Sequence, residues 1–223
     1  MHFRSLIRIF EIHLEDRLHL GNENNSQIIL HFAQFALSLH PNTKTMDRVQ
    51  VKDNAFRISI PEAEIKKRVK AVAEEISKDM AGKNPLLLGV LNGAFVFAAD
   101  LIRELTIPCE ISFVKLASYQ GTTSTGTIKE VLGINEDLTD RHIIIVEDIV
   151  DTGQTMKRMI ETLGTRNPAS VSVCTLLMKP DKLQVELDVR YCALKIPNDF
   201  IVGYGLDYDQ GGRGLKDIYT VCE

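Results

Sequence analysis

The residues best suited to chemistry lie between His142 and Thr155, HIIIVEDIVDTGQT, where Glu147, Asp148 and Asp151 share a short stretch with Thr152, Gly153, Gln154 and Thr155. A turn with one glycine and two threonines can aim backbone N–H groups and hydroxyls at a phosphate resting on a helix N-terminus. Adjacent carboxylates such as Glu147 and Asp148 repel each other unless something accepts them. Ribose hydroxyls that donate hydrogen bonds, or a divalent cation, would relieve that repulsion. The plainer reading is that Asp151 or Thr152 caps a helix and the acid pair is solvated. It suits a single acid but does not account for three acids together with a phosphate-type turn.

These side chains need elements to position them. Ile143 to Val146 is an unbroken run of β-branched residues, the pattern of a short strand covered on both faces in a parallel sheet. The acids follow it, and Met156, Met159, Ile160 and Leu163 then recur at helical spacing. In an open α/β sheet the ligand crevice lies outside the carboxyl ends of the strands, where this acidic tip would sit. A second unit repeats the plan: Leu86 to Leu91 reads as an interior strand, broken at Asn92-Gly93 before an apolar helix from Ala94 to Leu105. Ser59-Ile60-Pro61-Glu62 matches a capping box, opening a helix that carries Ile65, Val69, Val72, Ile76 and Met80 and stops at Gly82. Further strands are expected over Glu110 to Leu116, Val171 to Met178 and, near an edge, Val189 to Ile196. The tract Ser118-Tyr119-Gln120-Gly121-Thr122-Thr123-Ser124-Thr125-Gly126 is too long for a tight turn and reads as linker or lid.

VEDIVDTGQT resembles the phosphoribosyl-pyrophosphate signature of the type I phosphoribosyltransferases, and its Glu-Asp pair followed by Asp-Thr-Gly is most similar to the hypoxanthine-guanine branch. The similarity runs in outline from Met46 to the C-terminus. It implies an α/β fold: a central, mainly parallel sheet flanked by helices, with a small hood and a flexible lid loop. Thr152, Gly153, Gln154 and Thr155 would hold the 5′-phosphate, with Glu147 and Asp148 on the ribose hydroxyls or the metal shell. Asp151 would accept a proton from the purine's imidazole edge. GVLNGAFVFAADL resembles the family's pyrophosphate-binding loop, so Leu91, Asn92 and Gly93 would hold the leaving group, around a cis peptide at Leu91–Asn92. Many relatives carry Lys where Asn92 stands.

The resemblance extends to the base. Ser118 and Tyr119 would belong to a lid that excludes water. Lys179, at the end of a strand, would donate to the purine's exocyclic oxygen, favouring 6-oxo over 6-amino bases because an ammonium only donates. Phe200, a core residue on composition alone, would stack on the base, and the Ile201 carbonyl would read its edge. Asp207 would meet Mg²⁺, and Arg213 would grip pyrophosphate through its planar fork. Before it, Gly211 and Gly212 replace bulkier residues of some relatives. The implied activity is a Mg²⁺-dependent transfer from phosphoribosyl pyrophosphate to hypoxanthine or guanine in purine salvage. The competing readings are a regulatory protein of the same fold that only senses phosphoribosyl pyrophosphate, and a transferase for xanthine. The family forms dimers and tetramers, so a homodimer or homotetramer is expected.

Composition bounds these readings. At 223 residues the chain has room for a full core. A net charge of -4 gives no support for nucleic-acid or membrane-surface binding, so anions must be held by local groups. Cys109, Cys174, Cys192 and Cys222 lack metal-type spacing and read as free thiols of a cytoplasmic protein. Residues 1–45 differ in kind: they hold five of the six histidines and lie outside the resemblance. Their apolar stretches are broken by charges and none is long enough to span a bilayer. We read them as an appended or mis-assigned upstream segment, with residues 46–223 the catalytic domain and Met46 its start.

Overall fold

The computed structural model describes residues 48–117, 129–134 and 136–222. The chain divides into two compact units between Met46 and Asp47, and the fold described is that of the second. The expectations for residues 1–45 and for the lid residues Ser118 and Tyr119 fall outside the described residues.

The element order is β1 (Arg48–Val51), β2 (Asn54–Ile60), α1 (Glu62–Asp79), β3 (Leu86–Leu91), α2 (Phe95–Glu104), β4 (Glu110–Ala117), β5 (Lys129–Leu132), β6 (His142–Val150), α3 (Gln154–Gly164), β7 (Ser170–Met178), β8 (Tyr191–Lys195), β9 (Ile201–Val202) and β10 (Ile218–Val221). Five strands form a parallel sheet in the order β4-β3-β6-β7-β8, and β5 pairs antiparallel with β4 at one end. A separate antiparallel sheet, β1-β2-β10-β9, forms the hood.

Alternation along the strands builds a three-layer core. Leu87 of β3 and Ile144 and Val146 of β6 join Ile65, Val69 and Ile76 of α1 and Phe97 and Leu101 of α2 on one face. Leu86, Leu88, Ile143 and Ile145 join Met156, Met159 and Leu163 of α3 on the other. Period-two side chains feed both layers, so the central strands are apolar throughout, as expected for strands covered on both faces.

The capping box before α1 does not form. Pro61 is the N-cap residue and no side chain of the box bonds to the turn; the Ser59 hydroxyl donates instead to the Ile218 carbonyl at 3.2 Å. The cap comes from a distant residue, as the Glu62 N–H donates to Asp217 Oδ1 at 2.7 Å. Hydrogen-bonding of β2 to β10 brings that carboxylate to the helix start, so tertiary pairing overrides the local motif.

The strand order reverses between β3 and β6. From β3 the chain moves to β4 on one side, and from β6 it moves to β7 and β8 on the other. The turns leaving these two strands therefore diverge and leave a crevice, the usual ligand position in such sheets.

Candidate active site

The strand carrying the acids is longer than the apolar run implies. Pairing of β6 with β7 continues through Glu147↔Thr175 and Ile149↔Leu177 to Val150↔Met178, whereas its pairing with β3 ends at Gly89↔Val146. Glu147 and Asp148 thus lie within a strand held on one edge and released on the other, at the mouth of the crevice.

The two acids have different surroundings. Glu147 is buried in the wall of a cavity of about 300 Å³, together with Leu91, Asp151, Thr152, Gly153 and Thr155. Val90, Leu116 and Met156 supply apolar wall. Burial, then hydrogen bonding to the neighbouring Asp148 carboxyl and its charge, push the Glu147 carboxyl well above the usual carboxylate range. Asp148 lies against the other turn: a β-carbon at Gly93 would overlap its carboxylate, and its Oδ1 accepts the Ile149 N–H at 2.8 Å.

The phosphate-type turn keeps a helix N-terminus open to this cavity. The N-cap of α3 is Gly153 at φ 79°, which has no side chain to cap with, and the Thr152 hydroxyl accepts only a long 3.5 Å bond from the Gln154 N–H. Capping by Asp151 or Thr152 therefore does not explain the motif. The Gln154 side chain turns outward and donates to Gln184 Oε1 at 3.0 Å. The turn is held from behind by the segment after β7, where the Gln184 N–H donates to the Thr152 carbonyl at 3.0 Å.

Asp151 is held on one side only. Its Oδ2 lies 3.1 Å from Lys182 Nζ and 3.8 Å from Lys179 Nζ. Its Oδ1 is buried without a hydrogen-bond partner among the described residues. A buried carboxylate oxygen left unpaired is costly unless a ligand satisfies it. Lys182 is a partner that the sequence patterns did not single out. The available signal was its position three residues after Lys179 in Lys179-Pro180-Asp181-Lys182, where a short 3₁₀ turn from Pro180 returns it to the acid.

The second turn and the loop before β10 meet beside the crevice. The Leu91–Asn92 peptide is cis. Gly205, at φ 102°, packs so tightly on Gly93 that a β-carbon there would overlap the Gly93 carbonyl. Gly93 is therefore enclosed between the Asp148 carboxylate and the Gly205 backbone. Arg213 Nη1 donates to the Gly205 carbonyl at 2.8 Å and Nη2 to Asp207 Oδ1 at 2.7 Å, so its fork shapes this loop. Asp207 Oδ2 also accepts the Gln210 N–H at 2.8 Å.

Phe200 is 46% exposed, which corrects the composition-based expectation of a core residue. Its ring leans on Phe56 at 6.0 Å between centroids and meets Tyr208 edge-on at 5.5 Å. Ile201 is buried in β9. The cavity wall itself includes neither of these, nor Asn92, Gly93, Asp148, Gln154, Lys179, Asp207 or Arg213. Lys179 is linked to it through Asp151, and Asp148 through its N–H, which donates to Glu147 Oε1 at 3.2 Å.

A family model described as the phosphoribosyl transferase domain matches residues 61–209, more than half the chain. The chain belongs to the phosphoribosyltransferase family. A hypoxanthine-guanine phosphoribosyltransferase from Streptococcus pneumoniae is 40% identical over 174 residues, covering 78% of this chain and 97% of that protein. A hypoxanthine phosphoribosyltransferase from Escherichia coli is 40% identical over 172 residues, covering 75% and 96%. Among solved structures, the Trypanosoma cruzi hypoxanthine phosphoribosyltransferase in complex with the product IMP superposes with a TM-score of 0.71 at 38% identity, covering 78% of this chain and 97% of that one.

As in any phosphoribosyltransferase, the leaving group here is an anion. Among the described residues no three His, Cys, Asp or Glu side chains form a closed metal site. The crevice instead offers the carboxylates Glu147 and Asp148, and Asp207 follows on the adjoining loop. A few hard oxygen donors suit Mg²⁺ when phosphate and water oxygens complete its shell.

Proposed function

We infer that this protein is a purine-salvage phosphoribosyltransferase, moving the 5-phosphoribosyl group from phosphoribosyl pyrophosphate to hypoxanthine or guanine and yielding IMP or GMP and pyrophosphate. The observation that carries the reading is the single cavity wall shared by a helix N-terminus, a buried acid and the one-sided carboxylate Asp151.

In this reading the turn from Thr152 to Thr155 receives the 5′-phosphate on backbone amides and hydroxyls. Glu147 and Asp148 accept hydrogen bonds from the ribose hydroxyls, which relieves their mutual repulsion. Asp151 offers Oδ1 to the N–H of the purine's imidazole edge and accepts its proton as the glycosidic bond forms. Its charge also favours a sugar that becomes cationic on the way. Lys179 donates to the 6-oxo group, Phe200 stacks on the ring and the Ile201 carbonyl meets its edge. Backbone amides of Leu91, Asn92 and Gly93, with Arg213, address pyrophosphate, and Ser118 and Tyr119 cover the reactants. Asp207 or the Glu147–Asp148 pair would hold Mg²⁺, which would supply positive charge to the pyrophosphate leaving group. We further propose that the protein works in the cytoplasm as a homodimer or homotetramer, with residues 1–45 an extension outside the catalytic unit.

The test is a parallel assay of hypoxanthine, guanine, xanthine, adenine and orotate with phosphoribosyl pyrophosphate and Mg²⁺. Turnover of hypoxanthine or guanine is expected. Failure of every 6-oxopurine would overturn the assignment.

A further inference from the structure

Two ammonium groups converge on one oxygen of Asp151, and the other oxygen has no partner among the described residues. The lysines differ in setting. Lys179 is buried, with its side chain 9% exposed, whereas that of Lys182 is 39% exposed. The exposed pair would contribute little to folding stability on its own. Its consequence is geometric, because it decides which carboxylate oxygen is occupied.

The backbone around Lys182 is tied to the turn it serves. The Lys179 N–H donates to the Val150 carbonyl at 3.0 Å, and the Lys182 N–H donates to the Lys179 carbonyl at 3.1 Å. Two residues on, Gln184 holds the Thr152 carbonyl, and Leu183, Val185 and Leu187 crowd Gly153. The stem of Lys182 therefore rises from a segment already fastened to both ends of the Asp151–Gly153 turn.

We propose that Lys182 is a positioning residue for proton transfer: it pins Asp151 Oδ2, directs Oδ1 to the base, and keeps the acid paired when Lys179 turns to the incoming purine. This rests on the transferase reading, in which Asp151 takes the proton and Lys179 meets the exocyclic oxygen. Both ammoniums cannot be spared at once. With Lys182 in place, Lys179 can exchange Asp151 for the 6-oxo group without leaving the carboxylate unpaired.

The test compares wild type, Lys182→Met and Lys182→Arg in the full chain, measuring kcat, the Kd for phosphoribosyl pyrophosphate by calorimetry, and Tm. For Lys182→Met, kcat is expected to fall roughly tenfold or more through loss of alignment, with Kd within about twofold and Tm within about 2 °C of wild type. Lys182→Arg, which restores a cation at this position, is expected to recover most of the loss. An unchanged kcat in Lys182→Met overturns the proposal, as does a loss matched by weaker Kd or lower Tm, or a loss that Arg does not recover. Absence of 6-oxopurine turnover in wild type would instead overturn the transferase reading, so the two failures are distinct.

Discussion

Gly93→Ala tests the claim that Asp148 stands at the reacting sugar. The new β-carbon would occupy the space of the Asp148 carboxylate, so that side chain must rotate away. Rotation breaks the 2.8 Å bond from the Ile149 N–H to Oδ1. Loss of a part-buried bond to a charged acceptor costs about 1–2 kcal/mol, which for a domain of this size lowers Tm by roughly 2–8 °C. The fold survives, because a side chain yields rather than a backbone. Activity does not, because the displaced carboxylate no longer meets the ribose; kcat/KM should fall on the order of 10²-fold. Gly205→Ala is the contrasting variant. There the β-carbon meets the Gly93 carbonyl at a φ of 102°, and neither backbone can yield, so destabilisation of about 3 kcal/mol or more is expected. Scanning calorimetry with steady-state kinetics on both variants separates the effects. If Gly93→Ala keeps wild-type kcat/KM while folded, Asp148 is not a ribose ligand and the assignment of this turn fails.

Three further outcomes are expected, two from the geometry of the acids and one from the family resemblance, which begins at Met46. Glu147→Gln should stabilise the ligand-free protein progressively as pH rises. The native carboxyl holds its proton above the ordinary value of 4.5 while the unfolded one has released it, so the wild type loses stability with increasing pH through that window; equal Tm values for variant and wild type from pH 5 to 9 would contradict it. Asp151→Asn should leave the affinity for phosphoribosyl pyrophosphate nearly intact and lower the rate of the chemical step by roughly 10²–10⁴-fold; an unchanged single-turnover rate would show that the proton is taken elsewhere. Removal of residues 1–45 should preserve turnover and the Tm of the remaining chain, and loss of either would show that the segment belongs to the catalytic unit.

Much of the architecture was legible in local patterns. The apolar runs of β3, β6 and β7 and the helical stripes of α1 and α3 are repeated signals, and burial on both strand faces leaves such runs few alternatives. The motif at Glu147 to Thr155 also marked the junction of β6 and α3, where Gly153 takes a φ of 79° that other residues rarely adopt. What local pattern could not supply depends on pairing between distant strands. The capping box before α1 yields to Asp217, since β10 must bind β2 before that carboxylate arrives. Lys182 is one more surface lysine in the sequence and becomes Asp151's partner only when the turn after β7 folds back. The division of the acids follows from alternation along β6, but that one face opens on the cavity and the other meets Gly93 is decided by what packs there. The sequence alone determined which chemical groups are available and which elements carry them. Only the tertiary structure decided which oxygen is buried, which is held and which is left open, because those outcomes depend on contacts between residues far apart in the chain.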